Sequence, residues 1–187
     1  TIRELCDRKF GIGADGLLLL RKKQGSDFEM LFYNPDGSKA SFCGNGARCI
    51  AAFAFSSGIT NNRKIRFLAS DGYHEASIIS QESNISIVSV SMIAPVIYSR
   101  TEEYTYLNSG TYHVVKFVPD PDLVDIMEAG PAIRYDKRYA PDGTNVNFAR
   151  IERNSIYVRT YEKGVEAETL SCGTGVTATA IAASFIT

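Results

Sequence analysis

Two stretches of this chain repeat one pattern, and any fold must accommodate both. Ser41-Phe42-Cys43-Gly44-Asn45-Gly46-Ala47-Arg48-Cys49-Ile50-Ala51-Ala52-Phe53 is the first, and Leu170-Ser171-Cys172-Gly173-Thr174-Gly175-Val176-Thr177-Ala178-Thr179-Ala180-Ile181 is the second. Each reads Cys-Gly-(Asn or Thr)-Gly and runs into a small, apolar, helix-compatible segment. Their approaches match as well. Phe32-Tyr33-Asn34-Pro35-Asp36-Gly37 leads to the first, and Thr160-Tyr161-Glu162-Lys163-Gly164 leads to the second at nearly the same spacing. The repeated unit is therefore strand, glycine turn, short link, Cys-Gly-x-Gly, helix. Glycines let backbone approach a ligand closely. A helix start offers unpaired N–H groups and the positive end of a dipole, which favour a thiolate or a bound carboxylate. Either cysteine alone reads equally well as a small packing residue. The repetition, lead-in included, argues against that. Two such units facing one another would set one thiol on each side of a shared cleft, a common place for ligand sites.

The bulk properties exclude several classes. The 187 residues suffice for one large or two small domains, and the hydrophobic (44%) and charged (22%) fractions are ordinary for a globular protein. A net charge of −1 with interspersed acids and bases argues against a nucleic-acid surface or a membrane-attracted basic patch. Four cysteines without a CxxC pair suggest neither a disulfide framework nor a zinc site, and reduced thiols fit a cytoplasmic setting. No signal peptide is visible. The apolar-looking run 169–187 is rich in Ser, Thr and Gly, which argues against a membrane span. The chain begins at Thr1 and ends within the apolar helical pattern Ala180-Ile181-Ala182-Ala183-Ser184-Phe185-Ile186, so N- and C-terminal segments are expected to be missing from this sequence.

In chain order, residues 1–10 read as the end of a helix, with Cys6 a core or near-core thiol. Gly11-Ile12-Gly13-Ala14-Asp15-Gly16 matches GxGxxG by letter. It follows charged residues and leads into a strand at Leu17-Leu18-Leu19-Leu20, which is the wrong context for a dinucleotide fingerprint. Residues 28–33 read as a strand ending at a strong turn, and 45–57 as a helix apolar nearly all round, hence central, with Cys49 a packing residue. Strands are expected at 64–68, 73–79 and 85–90, with 80–84 a hairpin loop and the serines 86, 89 and 91 marking a wet face. His74 has no metal-spaced partner and reads as surface or hydrogen-bonded structure. Ala94-Pro95 ends this set, and Glu102 and Glu103 mark the seam between halves. Strands at 104–107 and 112–117 follow. A helix opens at Asp120-Pro121 and stops at Gly130-Pro131, and 132–139 reads as a short second helix. Residues 145–148 follow a Pro-Asp-Gly turn, and 156–161 is the strand that delivers Glu162 and the second cysteine motif. The fold class is α+β with two pseudo-symmetric halves, 1–97 carrying Cys43 and 98–187 carrying Cys172. Each half is a mixed β-sheet wrapped around a central helix.

Two thiols at two helix starts suit inversion of an amino acid at Cα. One cysteine, as thiolate, removes the α-proton, and the other, as thiol, returns one to the opposite face. Converging N–H groups stabilise the charge that moves onto the carboxylate, each such donor being worth about 3–4 kcal/mol. Close placement of base and proton adds to this. The route needs neither a metal nor pyridoxal phosphate.

With those residues in view, the chain resembles the diaminopimelate epimerase family. The resemblance rests on Arg8-Lys9-Phe10-Gly11-Ile12-Gly13-Ala14-Asp15-Gly16-Leu17, on Tyr33-Asn34-Pro35-Asp36-Gly37-Ser38 with Cys43-Gly44-Asn45-Gly46-Ala47-Arg48-Cys49, and on Thr144-Asn145-Val146-Asn147-Phe148. It continues through Arg159-Thr160-Tyr161-Glu162-Lys163-Gly164 and Glu168-Thr169-Leu170-Ser171-Cys172-Gly173-Thr174-Gly175. It implies a cofactor-independent, homodimeric epimerase that interconverts LL- and meso-diaminopimelate on the way to lysine and peptidoglycan. It also implies that Cys43 and Cys172 are the acid–base pair and that Gly44, Asn45, Gly173 and Thr174 bind the reacting carboxylate. Asn34, Asn145, Glu162 and Lys163 would hold the distal end, with His113 assisting at the rim. Two departures stand out. Thr111 replaces the family's usual Asn, and Lys163 stands where Arg is common, keeping the charge without the bidentate fork. The alternatives are a proline-racemase or phenazine-biosynthesis type isomerase of the same fold, a thiol redox pair, and a non-catalytic amino-acid-binding remnant.

Overall fold

A computed structural model describes residues 1–83 and 85–186. The chain divides into two units, Thr1–Ile93 and the remainder from Ala94. In the first unit α1 (Ile2–Cys6) leads through a loop to β1 (Leu17–Arg21) and β2 (Phe28–Tyr33). α2 (Gly44–Ser56) follows, and then β3 (Lys64–Ala69), β4 (Gly72–Glu82) and β5 (Ile85–Val90). The sheet order is β1-β2-β3-β4-β5, with β2 and β3 parallel and the other neighbours antiparallel. A parallel pair needs a crossover, and α2 supplies it. Ala47, Ile50, Ala51 and Ala54 recur at helical spacing and are buried against Phe28 and Phe67, whose rings stack at 5.3 Å. Each fully buried Phe contributes about 2–3 kcal/mol.

Only one face of α2 is covered. Phe53 is 57% exposed and Cys49 is also exposed, so Cys49 is not the packing residue that the sequence suggested. The helix looked central because alanines dilute its polarity all round. β4 runs through Ser80–Glu82, expected as loop, because a register shift between Ile78 and Ser80 absorbs one residue and lets pairing with β5 continue. Asn84, the last residue of that expected loop, lies outside the described residues, as does Thr187. The open face of β5 carries Ile85, Ile87 and Ser89, and Ser91 just beyond the strand is exposed as well, so two of the three serines lie on the wet face as expected, while Ser86 is half-buried on the other face.

The second unit starts with β6 (Val96–Arg100), β7 (Thr105–Asn108) and β8 (Tyr112–Phe117). α3 (Ile126–Arg134), β9 (Asn145–Ile151), β10 (Ile156–Glu162), β11 (Ala167–Thr169) and α4 (Gly173–Ala183) complete it. The order is β11-β10-β9-β8-β7-β6, with β8 and β9 parallel. Strand alternation sorts side chains onto two faces. Leu107 and Val115 pack on Ala178 and Ala182 of α4, while Val146, Phe148 and Tyr161 pack on Ile126 of α3.

Four expectations fail here. Val96–Arg100 is a strand, and Glu102 and Glu103 sit in the β6–β7 hairpin loop rather than at a seam between halves. The Asp120 turn yields only a 3₁₀ turn at Pro121–Leu123, and the helix proper is capped by Asp125, which accepts from the N–H groups of Met127 and Glu128. α3 does not stop at Gly130-Pro131. Gly130 is there because a Cβ would meet the Tyr161 ring at 2.5 Å, so tertiary packing selects it. Residues 132–139 accordingly divide between the last turn of α3 and a 3₁₀ turn at Lys137–Tyr139.

Among the described residues, both units contain a hairpin followed by a cysteine-capped helix, β1–β2–α2 and β9–β10–α4. Around it the sheets continue on opposite sides. The parallel neighbour joins the second hairpin strand in the first unit and the first hairpin strand in the second. No helix among the described residues is long and apolar enough to cross a membrane.

Candidate active site

Both motif cysteines occupy the N-cap of their helix. Cys43 has φ −124° and ψ 112°, and Cys172 has φ −127° and ψ 103°. This shared extended backbone lets each carbonyl accept the first intrahelical bond, from Ala47 N–H at 2.8 Å and from Val176 N–H at 2.9 Å. Gly46 N–H donates to Cys43 Sγ at 3.4 Å, so the sulfur itself caps α2. Cys172 Sγ lies 3.4 Å from Thr174 Oγ1 instead. Cys43 is half-buried and Cys172 is buried.

In the first unit the other expected site residues lie in the turn after β2 and in the first turn of α2. Asn34 Nδ2 donates to Ser38 Oγ at 3.1 Å, and its N–H donates to the Ser38 carbonyl at 2.9 Å, closing the turn after β2. Asn45 Oδ1 accepts from the Arg48 guanidinium one turn along α2. Gly44, the first helical residue, has no atom closer than 3.9 Å to where a Cβ would stand. Phe42, adjacent to Cys43, stacks on the buried His74 ring at 4.1 Å and 3°. His74 is thus hydrogen-bonded structure, one of its two sequence readings. Its Nδ1 faces the Ser91 carbonyl at 2.8 Å and its Nε2 faces Asp71 Oδ1 at 3.0 Å. Both partners are acceptors. Burial favours the neutral ring, but the Asp71 and Ser91 bonds outweigh it and raise the imidazole above its ordinary value.

In the second unit the strand register gathers polar groups on the face that α4 covers. His113 lies opposite Asn145, and Asn147 lies opposite Thr160. His113 is fully buried, so it is not at a rim. Its Nε2 is 2.9 Å from Thr174 Oγ1 and its Nδ1 is 3.0 Å from Asn147 Nδ2. Burial, reinforced by the Lys163 ammonium, pushes its pKa down to about 3. Asn145 is 2% exposed and spent on backbone, with Oδ1 accepting Lys163 N–H at 2.9 Å and Nδ2 donating to the Tyr112 carbonyl at 2.8 Å. Glu162 Oε2 accepts from Thr169 Oγ1 at 2.7 Å. Burial and the nearby Arg134 charge lower the Lys163 ammonium, against the opposing pull of Asp142 and Glu166.

Gly173 begins α4, and Gly175 behind it is pressed between Asn147 Oδ1 and Cys172, with no room for a side chain. The glycine of that motif is therefore required by side-chain packing on its inner side. Sequence reasoning missed Asn147, Thr160 and Arg134. The Asn147–Thr160 pairing is legible only once β9 and β10 are in register, and Arg134 joins the group by ending α3 against Glu166, to which its Nη2 donates at 3.1 Å. A separate depression of about 550 Å³, lined by Arg100, Tyr104, Val115, Phe117, Ala182 and Phe185 among others, contains none of the expected site residues.

The sequence matches the family model described as diaminopimelate epimerase over residues 1–97 and 105–185. It is 46% identical over 182 residues to a diaminopimelate epimerase of Flavobacterium psychrophilum, covering 97% of this chain and 69% of that protein. It is 41% identical over 194 residues to one from Aquifex aeolicus, covering 96% of this chain and 67% of that protein. One from Methanocella arvoryzae is 39% identical over 200 residues, at 98% and 71% coverage. Among solved structures, a hydroxyproline epimerase from Agrobacterium vitis superimposes with a TM-score of 0.75 at 16% identity, over all of this chain and 65% of that one. A PhzF-family phenazine biosynthesis protein from Bacillus anthracis gives 0.69 at 14% identity, over 91% of this chain and 66% of that one. At such low identity these two structures speak to the fold alone, which is the expected α+β architecture. The match in sequence, running through both cysteine motifs and nearly the whole length, shows that the chain belongs to the diaminopimelate epimerase family.

Proposed function

We propose that this chain interconverts LL- and meso-diaminopimelate by two-base proton transfer at Cα, without a cofactor. The observation that carries the reading is the pair of cysteines capping two helices with the same backbone geometry, in a chain of this family. One sulfur, as thiolate, takes the α-proton. The other, as thiol, donates a proton to the opposite face, so the thiol and thiolate roles exchange between the two substrate stereoisomers. The first N–H groups of the helices, at Gly44, Asn45, Gly173 and Thr174, hold the reacting carboxylate and stabilise the charge that flows into it as the Cα–H bond breaks.

Asn34, Glu162 and Lys163 serve the distal, amino-acid end of the substrate. Asn145 supports that end through the Lys163 backbone it binds, and His113 acts from behind Thr174. The half-buried Lys163 ammonium gives a point charge for a carboxylate, where a guanidinium would give a fork. The active form is a homodimer in the cytoplasm and needs neither nucleic acid nor membrane.

The test is mass-spectrometric deuterium incorporation. Diaminopimelate incubated with the reduced protein in deuterated water should gain one deuterium at the inverted α-carbon. Cys43→Ala and Cys172→Ala should each abolish epimerisation. Full turnover by either variant would defeat the mechanism.

A further inference from the structure

The second unit holds a hydrogen-bond chain whose direction follows from valence. Asn147 starts it. Its Nδ2 lies 3.0 Å from the Val114 carbonyl, which can only accept, so this end of the amide is the NH₂ group. Its Oδ1 accepts from Thr160 Oγ1 at 2.9 Å, which agrees with that orientation. The second amide hydrogen points at His113 Nδ1, 3.0 Å away, so that nitrogen is an acceptor. A neutral imidazole that accepts at Nδ1 carries its proton on Nε2. Nε2–H therefore donates to Thr174 Oγ1 at 2.9 Å. The Thr174 hydroxyl accepts that bond on one of its two lone pairs and keeps its own hydrogen to give, and Cys172 Sγ is 3.4 Å away.

We infer that Asn147 is a positioning residue that, through His113 and Thr174, aims a permanent hydroxyl donor at the sulfur of Cys172 and holds that sulfur ready as a thiolate. The inference rests on the proposed epimerase reading only for its catalytic consequence. Each member of the chain is buried, so water does not compete for these bonds. His113 stays neutral down to about pH 3, so it orients the donor without relaying protons. The ionisable side chains at this face include His113 on β8, Glu162 at the end of β10 and, at the far edge, Arg100 on β6 over the Phe185 ring, with the Lys163 ammonium acting on His113 from the turn beyond. Lys116 and Arg150 alternate onto the face that α3 covers. At Cys43 the sulfur accepts from the Gly46 backbone amide at 3.4 Å.

The experiment measures carboxamidomethylation by iodoacetamide against pH, with peptide masses separating Cys172 from Cys43, in the full chain. A hydrogen bond to a charged acceptor supports an effect of about tenfold. Thr174→Val should slow alkylation of Cys172 at neutral pH by about tenfold and move its midpoint upward by about one pH unit, with Cys43 unchanged. Thr174→Ser should restore the wild-type profile. Asn147→Asp, equal in shape, accepts from Nδ1–H instead. That moves the ring's acceptor to Nε2 and turns the Thr174 hydroxyl away from the sulfur, so it should behave like Thr174→Val.

An unchanged Cys172 profile in Thr174→Val overturns the inference, even if diaminopimelate exchange proceeds normally in the wild type. A shifted profile together with no exchange in the wild type upholds the hydrogen-bond chain and defeats the epimerase reading instead. Should Asn147→Asp fail to fold, the valine and serine variants decide the matter alone.

Discussion

Gly175→Ala tests how tightly the start of α4 is packed. A Cβ at this position would lie 2.6 Å from Asn147 Oδ1 and 3.3 Å from Cβ and Sγ of Cys172. Ordinary contact begins near 3.4 Å, so the amide would have to retreat by about 0.8 Å. It is held against retreat by three bonds, from Thr160 at 2.9 Å and to His113 and Val114 at 3.0 Å each. Alanine in place of glycine gains at most about 1 kcal/mol in a helix. Overpacking costs about 1–3 kcal/mol, and one broken buried hydrogen bond adds about 1 kcal/mol or more. The net expectation is a loss of about 1–3 kcal/mol, read as a lower urea midpoint with an unchanged slope. Gly44→Ala is the internal control. Its nearest neighbours, Arg48 Nη1 and the Phe42 ring, stand at 3.9 and 4.0 Å, so it should stay within about 0.5 kcal/mol of wild type. If Gly175→Ala unfolds at or above the wild-type midpoint, the packing argument is wrong.

Gly130→Ala should also destabilise, by about 1–3 kcal/mol in the same assay, because its Cβ would meet the buried Tyr161 ring at 2.5 Å. The two histidines should oppose each other in pH titrations of stability. His113 is depressed from 6.5 to about 3, so below pH 6.5 the unfolded chain binds a proton that the folded chain refuses. Its contribution should therefore fall as pH drops from 6.5 towards 3, by at most about 1.4 kcal/mol per pH unit. His113→Gln should flatten that slope. His74 is raised, so its contribution is fully present below 6.5 and is lost as pH climbs through the raised value. His74→Gln should remove stability mainly on the acid side. Cys49, exposed on α2, should be alkylated in the folded chain, whereas the buried Cys6 should react only on unfolding, as peptide mapping over time would show.

The duplicated cysteine unit was legible because it is local. Turn residues, a strand's length and a run of small residues after Cys-Gly-x-Gly are all visible within a dozen positions, and both helices begin where the sequence places them. Features set by distant partners were not legible. Gly130 looked like a helix stop because its reason for being glycine is the Tyr161 ring, a residue of another element. Cys49 looked internal because a helix rich in alanine carries little polarity to show which face is open. β6 was missed because Val96–Arg100 is a short strand at a sheet edge, recognisable mainly by its partner β7. Among the site residues, the cysteines and their glycines announce themselves. Asn147 and Thr160 do not, since an Asn and a Thr within strands acquire meaning only when the β9–β10 register sets them face to face.

The opposite continuation of the two sheets bears on how the chain folds during synthesis. In the first unit, β3, β4 and β5 come after the helix. The early hairpin and α2 thus leave the ribosome before β4 and β5, which carry Ala76, Ile78 and Val88 of the core that α2 packs into, have been made. In the second unit β6, β7 and β8 precede the common hairpin and already form an antiparallel meander of local pairings when β9 emerges. A nascent chain halted just after α2 would therefore lack the later half of the core that its helix packs into. One halted just after α4 would find its sheet already waiting.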